Sequence, residues 1–188
     1  MNIKPIETFY NGYRFRSRLE ARWAIFFDEL GIKYQYELEG FELSNNIRYL
    51  PDFYIEQMNL FVEIKPSLNS ISENDIDKMD SFVFIGNKNL LLIVGEPTKE
   101  QMFLINDRMS VPLNMCKAEY NKKEENLHQY WKEKLVEESS VNFDLNSITG
   151  DWILISNGML HQWFIEPKIR MALLKAIRSR FEFKERRI

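Results

Sequence analysis

The sequence predicts a mixed β-sheet with helices packed on it, in the order α-β-β-β-α-β with further elements appended. Three observations carry this reading. Apolar residues recur at helical spacing near residues 17–31 and again near 72–85. Between them lie short runs rich in β-branched and aromatic residues, bounded by turn formers. One run, residues 90–94, is apolar without a break and lies between polar stretches, as a strand covered on both faces would be. The chain has 188 residues, 45% of them apolar and 14% aromatic, which suits a single domain (1–188) with a packed core and excludes wholesale disorder.

Each element has its local reason. Ser17 is placed to open a helix, Leu19, Trp23, Phe26, Phe27 and Leu30 recur at spacings of 3 and 4, and Gly31 stops it. Residues 33–43 read as extended, and Asn45-Asn46 turns the chain. Residues 48–56 and 59–65 read as two strands joined tightly at Gln57-Met58, with Pro66 ending the second. A helix over 72–85 has Ser72 as N-cap, Asp75 at the capping-box position and Gly86 past its end. Residues 90–94 and 102–106 read as strands. Residues 116–150 differ in kind: 117–138 are highly charged, with Tyr120, Leu127, Tyr130, Trp131 and Leu135 as a sparse stripe. They predict a peripheral helical insertion followed by a loop. Residues 152–156 and 159–164 flank Asn157-Gly158, a hairpin signal because both turn residues tolerate positive φ. Pro167 opens a closing helix with Ile169, Leu173, Leu174, Ile177 and Phe181 on one face.

Composition narrows the chemistry. No apolar run reaches the roughly 18 residues of a membrane span, and the N-terminus lacks a signal-peptide core, so a cytoplasmic protein with no membrane partner is expected. The single cysteine, Cys116, excludes a disulfide framework and a Cys-rich zinc site. With only His128 and His161, a histidine-based site is not expected either. Carboxylates, lysines, arginines and hydroxyls remain. The net charge of −3 hides an asymmetry: residues 1–22 hold five bases against two acids, and residues 166–188 hold eight against three. If the two ends meet, they form a basic patch on an acidic body, able to hold a phosphate backbone.

The sharpest local feature is Pro51-Asp52 followed by Glu63-Ile64-Lys65. With the turn at Gln57-Met58, residue 55 faces 60 and 52 faces 63. Two carboxylates then stand opposite each other on an antiparallel pair, with Lys65 on the face of Glu63. Phe53, Ile55, Leu60, Val62 and Ile64 fall on the other face as an unbroken apolar set. Opposed like charges cost up to about 1 kcal/mol, more when desolvated. A divalent cation held by both acids, with the main-chain carbonyl of Ile64 as a further ligand, would offset that cost. Hard oxygen donors suit Mg2+ or Mn2+. Lys65 would stand close enough to orient a water or stabilise a phosphorane-like charge, which is the equipment for metal-assisted phosphodiester hydrolysis.

Taken with the helix that carries Glu20, these residues resemble the PD-(D/E)XK nuclease superfamily. The stretch Arg16-Ser17-Arg18-Leu19-Glu20-Ala21-Arg22-Trp23-Ala24 with Phe26-Phe27, and the later Ala176-Ile177-Arg178-Ser179-Arg180-Phe181-Glu182, resemble a group of small phage- or prophage-encoded members. The likeness spans residues 13–95 and about 150–183 and leaves 116–150 unexplained. It implies a restriction-endonuclease-like αβββαβ core and magnesium-dependent cleavage of nucleic acid, usually DNA. It also implies Asp52 and Glu63 as metal ligands and Lys65 as the catalytic lysine.

Two roles are open for Glu20. Ser17-x-x-Glu20 is a capping box, whereas in many superfamily members an acid on this helix completes the metal site. Arg14, Arg16 and Arg18 gather at the same helix start, where guanidiniums and a helix N-terminus can clamp a phosphate. Arg170, Arg178 and Arg180 on the closing helix are expected to grip flanking phosphates with little sequence preference. The leading expectation is a Mg2+-dependent DNA endonuclease. The alternative is a non-catalytic phage accessory or anti-defence factor that binds nucleic acid or protein on the same fold. A homodimer would supply the second site a duplex cut usually needs, and 116–138 could offer a protein-partner surface.

Overall fold

A computed structural model describes residues 5–43, 47–98, 101–106, 127–138, 140–146, 148–156 and 167–181. Asn11 and Gly12 both take positive φ (47° and 84°) and fold β1 (Thr8–Tyr10) back on β2 (Tyr13–Phe15). This hairpin was missed in the sequence, although Asn-Gly between aromatic residues is its usual signature. Helix α1 (Arg18–Leu30) follows, its first turn capped by the Ser17 hydroxyl, which accepts from the Glu20 amide. Gly31 in the left-handed conformation ends it, as the sequence predicts.

Of the extended stretch over 33–43, only β3 (Gln35–Tyr36) and β4 (Phe41–Leu43) are strands. Asn45-Asn46 lies outside the described residues. The single strand expected over 48–56 is in fact two: β5 (Ile47–Tyr49) and β6 (Phe53–Ile55). Pro51 lies between them and has no N–H to give a ladder. Strand β5 pairs with β4 in a separate two-stranded sheet, while β6 pairs with β3 and, beyond a turn at Glu56–Met58, with β7 (Leu60–Lys65). The observed register, Ile55 against Leu60 and Phe53 against Val62, is the expected one.

From the end of β7 the chain crosses over through α2 (Glu73–Asp80), whose capping box between Ser72 and Asp75 is present in both directions. A π-type turn over Ser81–Ile85 carries the helix on to Gly86. Strand β8 (Leu90–Val94) then lies parallel to β7, and β9 (Gln101–Ile105) antiparallel to β8. Helix α3 (Leu127–Glu138) is followed by β10 (Ser140–Leu145) and β11 (Trp152–Ser156). The loop expected after 138 is therefore corrected to a strand. Val141 and Phe143 point to the core and alternate with the polar Asn142 and Asp144, a period-2 pattern that the charged surroundings obscured. Strand β11 pairs with β10, and the other arm of the expected 159–164 hairpin lies outside the described residues. Helix α4 (Pro167–Arg178) closes the described chain.

The main sheet is mixed and seven-stranded, in the order β11-β10-β9-β8-β7-β6-β3. Its two faces carry two cores. On one, Phe53, Ile55, Leu60, Val62, Ile64, Leu91 and Ile93 meet α1 and α4 through Trp23, Phe26, Phe27, Ile169 and Leu173. On the other, Phe61, Leu90, Leu92 and Val94 meet Ile76, Met79 and Phe82 of the crossover and Trp131 and Leu135 of α3. Among the described residues, four helices on a mixed sheet bear out the α/β class. Among the described residues, no helix is long and apolar enough to cross a membrane.

Candidate active site

The carboxyl ends of the parallel pair β7 and β8 open into a cleft of about 780 Å³, in the place where α/β sheets commonly bind ligands. Arg16, Arg18, Glu20, Asp52, Glu63, Ile64 and Lys65 all line it, so seven residues scattered over 50 positions of sequence share one space. The start of α1 lines it, and Lys65 on its wall reaches Asp75 in the first turn of α2.

Asp52 immediately precedes β6, one position beyond Phe53 and Val62, the last pair of the β6–β7 ladder. It is 3% exposed. Its Oδ2 accepts from the Ile64 amide at 2.7 Å, and its Oδ1 accepts from an Arg16 guanidinium nitrogen at 2.8 Å. Burial pushes this carboxyl well above the usual carboxylate range, and the charges of Glu63 and Glu20 push it the same way. The Ile64 amide and Arg16 pull it back only in part.

Glu63 lies in β7 between Val62 and Ile64 and is 7% exposed. Alternation turns it away from the Val62 face, toward the Tyr49 hydroxyl, which donates to its Oε2 at 3.0 Å. Lys65 Nζ stands 3.0 Å from its Oε1. Burial raises the Glu63 carboxyl, with Lys65 the main opposing influence. The Tyr49 phenol is raised too, by complete burial and then by the neighbouring Glu63 charge.

Lys65 bridges two acids. Besides Glu63 it reaches Asp75 Oδ1 at 2.9 Å. Burial pulls the Lys65 ammonium down, but the two carboxylates outweigh it and the net shift is upward. Asp75 divides its carboxylate: Oδ2 accepts from the Ser72 amide and hydroxyl at 3.0 and 2.6 Å, and Oδ1 accepts from Lys65. Burial pushes Asp75 up, yet these bonds prevail and it lies below its ordinary value. The sequence showed Asp75 only as a helix cap. Its second role needed the crossover to bring the start of α2 beside the end of β7.

Glu20, 8% exposed, accepts from the Arg16 amide at 3.0 Å, the Tyr36 hydroxyl at 2.6 Å and the Ser17 hydroxyl at 2.6 Å. Its side chain thus ties together the start of α1 and β3 while lining the cleft. The amide it takes is that of Arg16, one residue before the N-cap. Tyr36, Tyr49 and Glu37 also belong to this neighbourhood and were not singled out in the sequence; isolated aromatic and acidic residues give no spacing signal.

The arginines separate. Arg16 is drawn into the site by Asp52 and by Glu37, whose Oε1 is 2.7 Å from Arg16 Nε. Arg18 lines the cleft. Arg14 pairs with Glu7 on the exposed hairpin and does not line it. Arg22, which does, pairs with Glu96 beyond β8. Arg170, Arg178 and Arg180 are exposed on and after α4, and none of them borders the cleft.

Asp52 and Glu63 are the residues that could hold a divalent cation: both are buried, both are raised, and their donors are hard oxygens. Among the described residues, no group of three His, Cys, Asp or Glu side chains is gathered for a metal ion. Two carboxylates nevertheless suffice for magnesium, which keeps several of its waters. Compared with protein-family models, curated proteins and solved structures, the chain has no match in any of them.

Proposed function

We propose that the chain is a metal-dependent nuclease that hydrolyses phosphodiester bonds of nucleic acid, with DNA the expected substrate. One observation carries the reading. Two opposed carboxylates are buried at the mouth of an open cleft, beside a lysine that two acids hold in place. Burying like charges together is costly, and a fold that only needed packing would place apolar residues there, as β7 does one position away on either side of Glu63. The succession α1, β3, β6, β7, α2, β8, with β7 and β8 parallel, supports the restriction-endonuclease-like core on which that chemistry is expected.

Asp52 and Glu63 would hold Mg2+, or Mn2+ in its place, and the bound ion would polarise the phosphate and lower the pKa of a coordinated water. The rest is the work of the chain. The Ile64 amide and the Tyr49 hydroxyl fix the two carboxylates in orientation. Lys65, kept charged by Glu63 and Asp75, presents a cation at the edge of the cleft to the charge that develops on the phosphate oxygens. Arg18 and the amino end of α1 offer further positive potential along the cleft wall. Arg170, Arg178 and Arg180 would act at a distance from the cut, as backbone contacts.

The test is incubation of supercoiled plasmid with the protein in Mg2+, Mn2+ or EDTA. Nicking that needs the metal and vanishes in Asp52→Ala and Lys65→Ala supports the proposal. Nicking retained by Asp52→Ala overturns the assignment. One observation favours a second reading, a non-catalytic nucleic-acid-binding module: the Arg16 guanidinium already occupies Asp52 Oδ1. Metal-independent retention of DNA, with no cleavage, would be its signature.

A further inference from the structure

Arg16 occupies an unusual position. Its side chain is 55% exposed, yet its guanidinium reaches a carboxylate that is 4% exposed. A second acid, Glu37, holds the same guanidinium by Nε. Glu37 has a positive φ of 46°, a conformation that residues with a Cβ seldom adopt. It is pinned there by its own amide, which donates to the Asp52 carbonyl at 2.9 Å. The backbone of Asp52 therefore positions the acid that steadies the cation on the Asp52 side chain. Of the two Asp52 oxygens, Oδ2 is committed to the Ile64 amide within the sheet. Oδ1 is the oxygen free to face a ligand, and Arg16 covers it.

We propose that Arg16 is a place-holder for the divalent cation. Its guanidinium holds Asp52 Oδ1 in the metal-free protein and must give it up when the ion enters, while Glu37 retains it at the rim. This inference rests on the reading of Asp52 and Glu63 as the metal pair. Burial makes an unpaired carboxylate expensive, so a resident positive charge lets the site form before the ion arrives. It also sets the affinity, because the ion competes with a charge-assisted hydrogen bond instead of filling a vacant position.

The experiment is Mn2+ binding to the full chain, followed by calorimetry and by the paramagnetic resonance of free Mn2+, at pH 8 where protons compete least. Arg16→Met is expected to bind Mn2+ roughly tenfold more tightly than the wild type, the scale of one charge-assisted hydrogen bond. Arg16→Lys, whose single ammonium cannot span Asp52 and Glu37 as the guanidinium fork does, should fall between them and guards against misfolding of the methionine variant. Lys33→Met removes the same charge outside the cleft and should leave the affinity unchanged. Glu63→Gln should abolish binding in the wild-type background. Equal or weaker binding by Arg16→Met and Arg16→Lys, or an equal gain in Lys33→Met, overturns the place-holder while leaving the metal pair intact. Mn2+ binding that survives Glu63→Gln, or is absent from every protein, overturns the metal pair and the place-holder with it.

Discussion

Val62 and Glu63 are neighbours on β7 and both are buried, but the faces they serve are buried in different ways. The Val62 face is apolar and, among the described residues, carries no charged side chain: Phe27, Phe53 and Ile64 pack there, with the Phe27 and Phe53 rings 5.5 Å apart at 75°. The Glu63 face begins apolar at Phe61 and turns polar within two residues, where Tyr49, Lys65 and Asp75 supply donors and charges. The comparison teaches that burial has two meanings in this protein. On one face it is the source of stability. On the other it is a cost accepted to concentrate charge at the cleft.

Substitutions should therefore trade stability on one face for activity on the other. The largest expected effect is Phe27→Ala, which empties a fully buried ring position and should cost about 3–5 kcal/mol in chemical denaturation, leaving the activity of the folded fraction unaltered. A loss under 1 kcal/mol would break the comparison on the apolar side. Next is Lys65→Met, expected to lower cleavage by about 10²- to 10³-fold, the range seen when one stabilising charge or donor is removed from a reacting centre. Its melting temperature should change little by comparison, and parallel loss of fold and activity would contradict the division of labour.

Asp75 separates capping from chemistry. Asp75→Asn keeps an oxygen to accept from the Ser72 amide but gives up the charge that holds Lys65. It should lower kcat by roughly tenfold with KM unchanged, the scale of one hydrogen bond to a charged group. Ser72→Ala should do the reverse, costing about 1 kcal/mol of stability with kcat intact. Matching kcat losses in the two variants would reduce Asp75 to a helix cap.

The last comparison is in pH. Asp52 and Glu63 have folded values raised above their unfolded ones, so the folded protein holds protons more tightly and stability falls as pH rises from the ordinary carboxylate range through those raised values. Asp75 is lowered, so its contribution is complete above its unfolded value and is lost as pH falls through the folded one. In EDTA, Asp52→Asn should gain on the wild type as pH rises from about 4 toward 8, by about 1.4 kcal/mol for each unit of elevation removed. Mg2+ should narrow the gap. A difference between the two proteins that stays flat with pH would show that the buried carboxylate carries no penalty.

Much of this was legible in advance where the signal is local. The caps Ser17 and Ser72, the stop at Gly31, the apolar alternation of Phe53, Ile55, Leu60, Val62 and Ile64, and the run over 90–94 all depend on spacing along a few residues, and each stands in the structure as expected. Apart from the β1–β2 hairpin, whose Asn11-Gly12 signal is local, the misreadings share one cause. Strand β10 has six residues with a mixed composition, and its identity depends on having β9 and β11 for neighbours. The break between β5 and β6 depends on β4 being free to take β5 into a second sheet.

The sequence by itself determined the caps at Ser17 and Ser72, the stop at Gly31, the β6–β7 register and which face of β7 is apolar, because periodicity and turn chemistry act over short distances. Only the tertiary structure decided what the acids meet. Arg16 reaches Asp52 across 36 positions of sequence, and Asp75 reaches Lys65 once the crossover has brought α2 beside the end of β7. Such pairings are set by how elements pack, and the energy that selects them comes from desolvating charge in a space that exists only after the sheet and its helices have closed around it.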